Sequence, residues 1–200
     1  MNMPLQQLHL IVEGDGDATA MPVLVRKILA KHQLFNVQLT TPQISGDVHK
    51  SRKRFSDFLR YALKNQCPIL WILDCDDKEI GCPVEHVGHF QAAMEATHFS
   101  GMQRIEFAFF VQEFESLFLA EMSALRSFYQ LPSDLKLDSN VATRRDAKGE
   151  ISKLLPKIRG YKETTDQAKI THRLDLDTCA QVSRDYRHLE SALLRLCGLQ

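Results

Sequence analysis

Ile69-Leu70-Trp71-Ile72-Leu73-Asp74-Cys75-Asp76-Asp77 runs five large apolar residues straight into carboxylates. A short, unbroken apolar run opened by Pro68 predicts a strand buried on both faces, as parallel α/β sheets require. Two other stretches share the pattern: Leu8-His9-Leu10-Ile11-Val12 ends at Glu13, and Phe107 to Val111 ends at Gln112-Glu113, with Glu115 close behind. Asp15 and Asp17 add a fourth acidic cluster in the loop after the first run. In a parallel sheet the carboxyl ends of adjacent strands lie side by side, so acids far apart in sequence can meet at one edge. Such a meeting would build a divalent-metal site.

Working outward, the chain alternates between strand and helix. After residues 7–12 the loop Glu13-Gly14-Asp15-Gly16-Asp17 leads to Val23, Leu24, Ile28 and Leu29 at helical spacing. A second strand is expected over Phe35–Thr40, stopped by Thr41-Pro42, and then a helix from about Ser51 with Phe55, Phe58, Leu59, Ala62 and Leu63 on one face. His86–Thr97 reads as the next helix, Ile105–Val111 as the fourth strand, and Phe114, Leu117, Phe118 and Met122 as the face of the helix that leaves it. These units fill residues 1–130. Beyond Leu131-Pro132 no strand is expected, only short helices over Ile151–Lys157, Thr165–His172 and Arg184–Leu196, the last capped by Ser183. With so few large apolar groups, residues 131–200 read as a helical extension packed on the α/β core rather than an independent domain.

Composition sets limits on function. The chain has 200 residues, 44% hydrophobic, with 25 basic and 25 acidic side chains, so no global basic field announces nucleic acid. Five cysteines without a CxxC pair argue against a zinc site and against a secreted disulfide framework. No stretch approaches the ~20 apolar residues of a membrane helix, and no signal core follows the start; a reduced cytoplasmic setting is expected.

The acids can be weighed singly. Gly14 and Gly16 let the backbone turn sharply after Glu13, although a solvated loop with Asp17 capping the next helix is the plain structural reading. The dinucleotide fingerprint fails because its third glycine position falls on Thr19, and a phosphate loop fails for want of Gly-Lys-Ser/Thr. At the end of the central run Asp74-x-Asp76 directs two carboxylates to one side of the strand end, and hard oxygen ligands there suit Mg²⁺ or Mn²⁺. Glu113 and Glu115 can equally be first-turn acids that favour a helix N-terminus. The histidines follow no HExxH or HxH spacing, and Phe107, Phe109, Phe110, Phe114 and Phe118 are core residues before they are base-stacking platforms.

Val12-Glu13-Gly14, Leu73-Asp74-Cys75-Asp76, Val111-Gln112-Glu113-Phe114-Glu115-Ser116-Leu117, Gly160-Tyr161-Lys162 and the Ser183–Leu196 helix together resemble a family of small stand-alone bacterial Toprim-like proteins of unknown function. That family is related to the Toprim domain of topoisomerases, primases and the overcoming-lysogenization-defect nucleases. The resemblance implies a three-layer α/β sandwich with a mostly parallel sheet of about four strands. It also implies a metal-dependent nuclease or phosphodiesterase in which Glu13 is the general acid or base, Asp74 and Asp76 bind Mg²⁺ or Mn²⁺, and Glu113 or Glu115 completes the shell, Glu113 being favoured because it comes first after the strand. Members are often encoded beside an ABC- or SMC-type ATPase, so the implied setting is the effector of an ATPase-linked bacterial defence system. A topoisomerase is disfavoured, because this short chain has no room for a separate tyrosine-bearing domain.

Phosphates must also be held. His49-Lys50-Ser51-Arg52-Lys53-Arg54 places Lys50, Arg52, Lys53 and Arg54 at the start of the expected helix, where the dipole favours anions, so a bound phosphate would resolve the conflict; a solvated helix end is the plainer reading for any one of them. Lys148 and Lys162 fall where the resembled family tends to carry lysine. Two other functions fit the same order of elements. One is a non-catalytic subunit docking on the ATPase through a degenerate fold, and fold alone does not separate it from a nuclease. The other is a phosphoacceptor, which lacks the early Asp-Asp pair and late core lysine it needs. The expected partners are nucleic acid and the ATPase, with no membrane; homo-oligomerisation is left open.

Overall fold

The computed structural model describes residues 5–75, 82–96, 104–135, 137–138, 140–156 and 159–199. Three six-residue strands carry a wholly parallel sheet: β1 (Gln7–Val12), β4 (Ile69–Asp74) and β5 (Ile105–Phe110). β1 pairs with β4, and β4 pairs with β5 in a register that sets Asp74 opposite Phe110. Their apolar runs are continuous because both faces are covered. Leu8, Leu10, Val12, Leu70, Ile72, Ala108 and Phe110 join one buried cluster, and Ile11, Ile69, Trp71, Leu73 and Phe109 join the other.

The outer edge of β1 differs from expectation. Instead of one strand over Phe35–Thr40, two two-residue strands follow one another along it: β2 (Gln38–Leu39) pairs with its start and β3 (Gln43–Ile44) with its end. Pro42 lies between them and offers no N–H, so a continuous ladder is not available there. His9 fills the break: its Nδ1 lies 2.5 Å from Thr40 Oγ1, and its Nε2 lies 3.5 Å from Gln43 Oε1. Phe35, expected in a strand, is 74% exposed.

On one face of the sheet lie α2 (Val48–Lys53), α3 (Phe55–Ala62) and α4 (Pro83–Ala96). The helix expected from Ser51 is thus two helices broken at Arg54, and it starts earlier because the Asp47 side chain accepts from Lys50 N at 2.8 Å. The other face carries α1 (Asp15–Lys31), α5 (Ser116–Ala120), α6 (Met122–Tyr129), α7 (Ala147–Lys153), α8 (Glu163–Arg173), α9 (Leu176–Val182) and α10 (Arg184–Cys197). A single helix was expected where α5 and α6 stand. The break falls at Glu121, whose carboxylate caps α6 by accepting from the backbone N of Ser123 and Ala124. Val141, Ala147, Ile151, Ile170, Tyr186, Leu189 and Leu193, all beyond residue 131, are buried in the same cluster as β1 and α1. The result is a three-layer α/β sandwich with a parallel sheet. Among the described residues no helix is long and apolar enough to cross a membrane.

The second face is built around Trp71. Its ring lies parallel to Phe55 with centroids 5.3 Å apart and stacks on Phe90 at 5.5 Å and Phe107 at 5.8 Å. Its indole N–H donates to Ser45 Oγ at 3.3 Å. Trp71→Ala should lower folding stability by about 3–5 kcal/mol, the range for deleting a buried aromatic ring. Urea unfolding followed by circular dichroism checks this, and a loss below about 1 kcal/mol would contradict the packing.

Candidate functional site

β1, β4 and β5 deliver their acids to one edge, at the carboxyl ends of the strands. Asp74, the last residue of β4, is buried, and its Oδ1 accepts from the backbone N of Phe114 at 3.1 Å, just past β5. Glu13, the first residue past β1, reaches across to the same point: its Oε2 accepts from Asp74 N at 3.2 Å. The turn beyond β3 supports it from the other side, where Gly46 N donates to Glu13 O at 3.0 Å with a φ of +78° that favours glycine. Asp76 lies outside the described residues.

Asp17 does two things at once. It accepts from Gly14 N at 3.3 Å, which is the capping role foreseen in sequence, and its buried carboxylate also acts electrostatically on Asp74. Its other oxygen accepts from Gln167 Nε2 at 3.1 Å. Asp15, by contrast, is exposed.

Of the two glutamates after β5, Glu115 is fully buried and is among the charges that act on Asp74. Its Oε1 accepts from the Tyr161 hydroxyl at 2.7 Å and from Gln167 Nε2 at 3.2 Å, while its buried Oε2 has no hydrogen-bond partner among the described residues. Glu113 turns instead toward α7, where it accepts from Lys148 N at 3.0 Å.

The residues beyond 131 close the site. α8 packs along α1 so tightly that a Cβ on Gly16 would fall 2.4 Å from Glu163 Cγ and 2.6 Å from Gln167 Oε1. Lys148 of α7 pairs with Glu163 at 3.1 Å and sits in the field of Glu115, Asp74 and Asp17. Sequence reasoning missed Glu163 and Gln167. Neither stands at a strand end, and the nearest signal was the Gly160-Tyr161-Lys162 turn just before them.

So many carboxyls in one buried place disfavour charge. Burial pushes the Asp74 carboxyl well above the ordinary range, and the charges of Asp17, Glu13 and Glu115 push it further. Burial, with Glu163 beside it, raises Asp17 to about 6. Burial raises Glu115 to about 7, against the opposing pull of Lys148 and Tyr161. Partial burial pulls Lys148 down, but Glu115, Glu163 and Asp74 together outweigh it, so its ammonium holds its proton more firmly than an ordinary lysine.

The basic residues are spread wider than the sequence suggested. Lys50, Arg52 and Lys53 fall in the last turn of α2, not at a helix start, so the dipole conflict expected for them does not arise. Lys50 lies over Gly46, and Arg54 pairs with Asp57 at 3.4 Å while its guanidinium sits 5.4 Å from the Phe58 ring centre. Arg52 and Lys53 face α4. Lys162 is an exposed residue heading α8.

A family model, described as a domain of unknown function (DUF4276), matches residues 12–194. The chain belongs to this family. Its matched span takes in every residue of the site from Glu13 to Gln167. No curated protein sequence matches the chain. Among solved structures, the C-terminal region of the Burkholderia pseudomallei OLD protein is similar to it with a TM-score of 0.48 and 14% identity, covering 96% of this chain and 98% of that one. The C-terminal region of the Xanthomonas campestris pv. campestris OLD protein follows with a TM-score of 0.44 and 12% identity, covering 96% of this chain and 97% of that one.

The raised carboxyls fix the sign of a pH effect. A carboxyl whose pKa is higher folded than unfolded stabilises the protein below its unfolded value, and that stabilisation is lost as pH rises through the folded value. For Asp17 and Glu115 the window runs from about 4 to about 7. Metal-free wild type should therefore lose stability across this window. Glu115→Gln should flatten the fall and gain on the order of 2 kcal/mol relative to wild type at pH 8. Chemical denaturation of both proteins at pH 4.5, 6 and 8 in chelator measures it, and parallel curves would contradict the assignment.

Proposed function

We propose that the protein is a divalent-metal-dependent nuclease or related phosphodiesterase of Toprim type, acting beside an ABC- or SMC-type ATPase. The observation that carries this reading is the buried Asp74, with Glu13 and Asp17 converging on it from the stretch after β1 and Glu115 from the one after β5. Folding gains nothing from gathering acids whose mutual repulsion raises their pKa values. A site that must receive cationic charge needs such a gathering.

Among the described residues no group of three or more His, Cys, Asp or Glu side chains is assembled so that it could hold a metal ion as it stands. The donors nevertheless fit Mg²⁺ or Mn²⁺ in kind, being hard carboxylate oxygens, and Glu115 Oε2 is a buried acceptor left without a donor. On this reading Asp74 and Asp76 would hold the ion, with Glu13 and Glu115 beside them and Glu113 fixing α7. Bound there, a divalent ion supplies charge neutralisation at the phosphoryl group and orientation of the attacking oxygen.

The remaining work falls to the chain's own side chains. Glu13, half-buried and one residue past its strand, would take a proton from the attacking water. Lys148, kept cationic by the acids around it, offers a positive donor to a non-bridging phosphate oxygen, with Glu163 holding it in place. Lys162, exposed at the head of α8, extends this positive lining toward solvent. The Tyr161 hydroxyl, whose pKa burial and Glu115 both raise, stays protonated and fixes the orientation of Glu115.

Mg²⁺ should raise the melting temperature of wild type at pH 8 and do so little for Asp74→Asn. Cleavage of nucleic acid, by the protein alone or with its partner ATPase, should require the ion and vanish in Asp74→Ala and Asp76→Ala. Glu13→Gln should keep much of the Mg²⁺ shift and lose roughly 10²- to 10⁴-fold in rate, the range for a missing general base. Equal cleavage by wild type and Asp74→Ala, or none by either on DNA and RNA, would point instead to the docking-subunit role.

A further inference from the structure

A second feature lies on the opposite face of the sheet from α8. His49, Arg52 and Lys53 of α2 and His89, Phe90 and Ala93 of α4 line a cleft of about 450 Å³. Four of these six residues carry or can carry positive charge, and none is acidic. In the same stretch Arg54 pairs with Asp57, and the Lys50 chain lies over Gly46. Arg52 and Lys53 have no acidic partner among the described residues. The floor is rigid, because Phe90 is 1% exposed and stacks on Phe107 at 4.9 Å and on Trp71 at 5.5 Å.

We infer that this cleft binds a phosphate group of the nucleic-acid strand whose scissile bond lies at the acidic edge. Arg52 and Lys53, with the His89 imidazole facing them over an apolar floor, match an anion of phosphate size. Phe90 is too deeply buried to stack a base, so the cleft reads backbone and not sequence. α2 follows directly from Gly46, which is bonded to Glu13, so the basic helix starts from the acidic edge. His89 comes from a different element than the basic run and makes the site a two-sided cleft, not a charged helix face.

The choice of polymer rests on the nuclease reading; the phosphate chemistry of the cleft does not. Binding is therefore measured in chelator, where no metal-dependent cleavage occurs, by anisotropy of a labelled single-stranded 12-mer. The probe is offered with and without a 5′-phosphate, and inorganic phosphate and a mononucleotide serve as competitors. Arg52→Gln with Lys53→Gln should weaken oligonucleotide binding at least tenfold and flatten its log–log salt slope by about 1.4, two phosphate-contacting charges' worth for a single strand. His89→Gln should weaken it about threefold, and all variants should keep the wild-type melting temperature and its Mg²⁺ shift. Unchanged affinity and slope in the double variant, or no binding of any probe by wild type, overturns the inference. Binding of phosphate or mononucleotide that depends on Arg52 and Lys53, with no preference for the 12-mer, supports the cleft and reassigns its source to a free or terminal phosphate. Wild type that binds through the cleft but cuts nothing with Mg²⁺ sinks the nuclease reading and leaves the cleft standing.

Discussion

The buried carboxylate of Asp74 is the constraint around which the fold closes. Its strand is covered on both faces, so a charge at its end cannot be solvated freely and must be met by protein donors or by a cation. Among the described residues the chain meets it with an N–H from Phe114, and the Asp74 N–H in turn holds Glu13. These two bonds tie together the ends of β1, β4 and β5. Asp17 and Glu115 add negative charge at this edge, Lys148 offsets it, and Gln167 and Tyr161 donate to the acids.

That arrangement explains why α7 and α8 are packed where they are. Lys148 brings the one described ammonium that acts on Asp74, Glu115 and Asp17 together, and it is held by Glu163 from α8. Gln167, from the same helix, donates to both Asp17 and Glu115 and so fixes two acids that would otherwise repel each other apart. Gly16 allows the approach, since any larger residue would displace Glu163 or Gln167. The helical segment after residue 131 is therefore a wall of the acidic site as well as a cover for the sheet.

The two faces of the sheet divide the labour implied by the proposals. One supplies acids, lysine and a tyrosine at the strand ends; the other supplies a basic cleft over an aromatic stack. A strand of nucleic acid crossing the carboxyl edge would touch both, with charge neutralised at the cleft and chemistry placed at Asp74. Because net charge is zero overall, such binding depends on local fields and should be strongly weakened by salt.

The apolar runs ending in acids were legible from sequence because a strand buried on both faces needs nothing but local hydrophobicity, and the strand-end position of Glu13, Asp74 and Glu115 follows directly. Helix faces at 3.6-residue spacing were legible for the same reason, as in the Arg184–Cys197 helix with its Ser183 cap. What only the tertiary structure decided were relations across long separations. Asp17 meets Gln167 over 150 residues, Glu115 rather than Glu113 turns inward, and Arg52 and Lys53 find His89 across a cleft. The splits of the second strand at Pro42 and of a helix at Glu121 had local signals, a missing N–H and a capping carboxylate, that the continuous apolar spacing outweighed in the sequence reading. Periodicity reports the direction of a side chain relative to its own element, while the partner it meets depends on how elements separated in the chain are brought together.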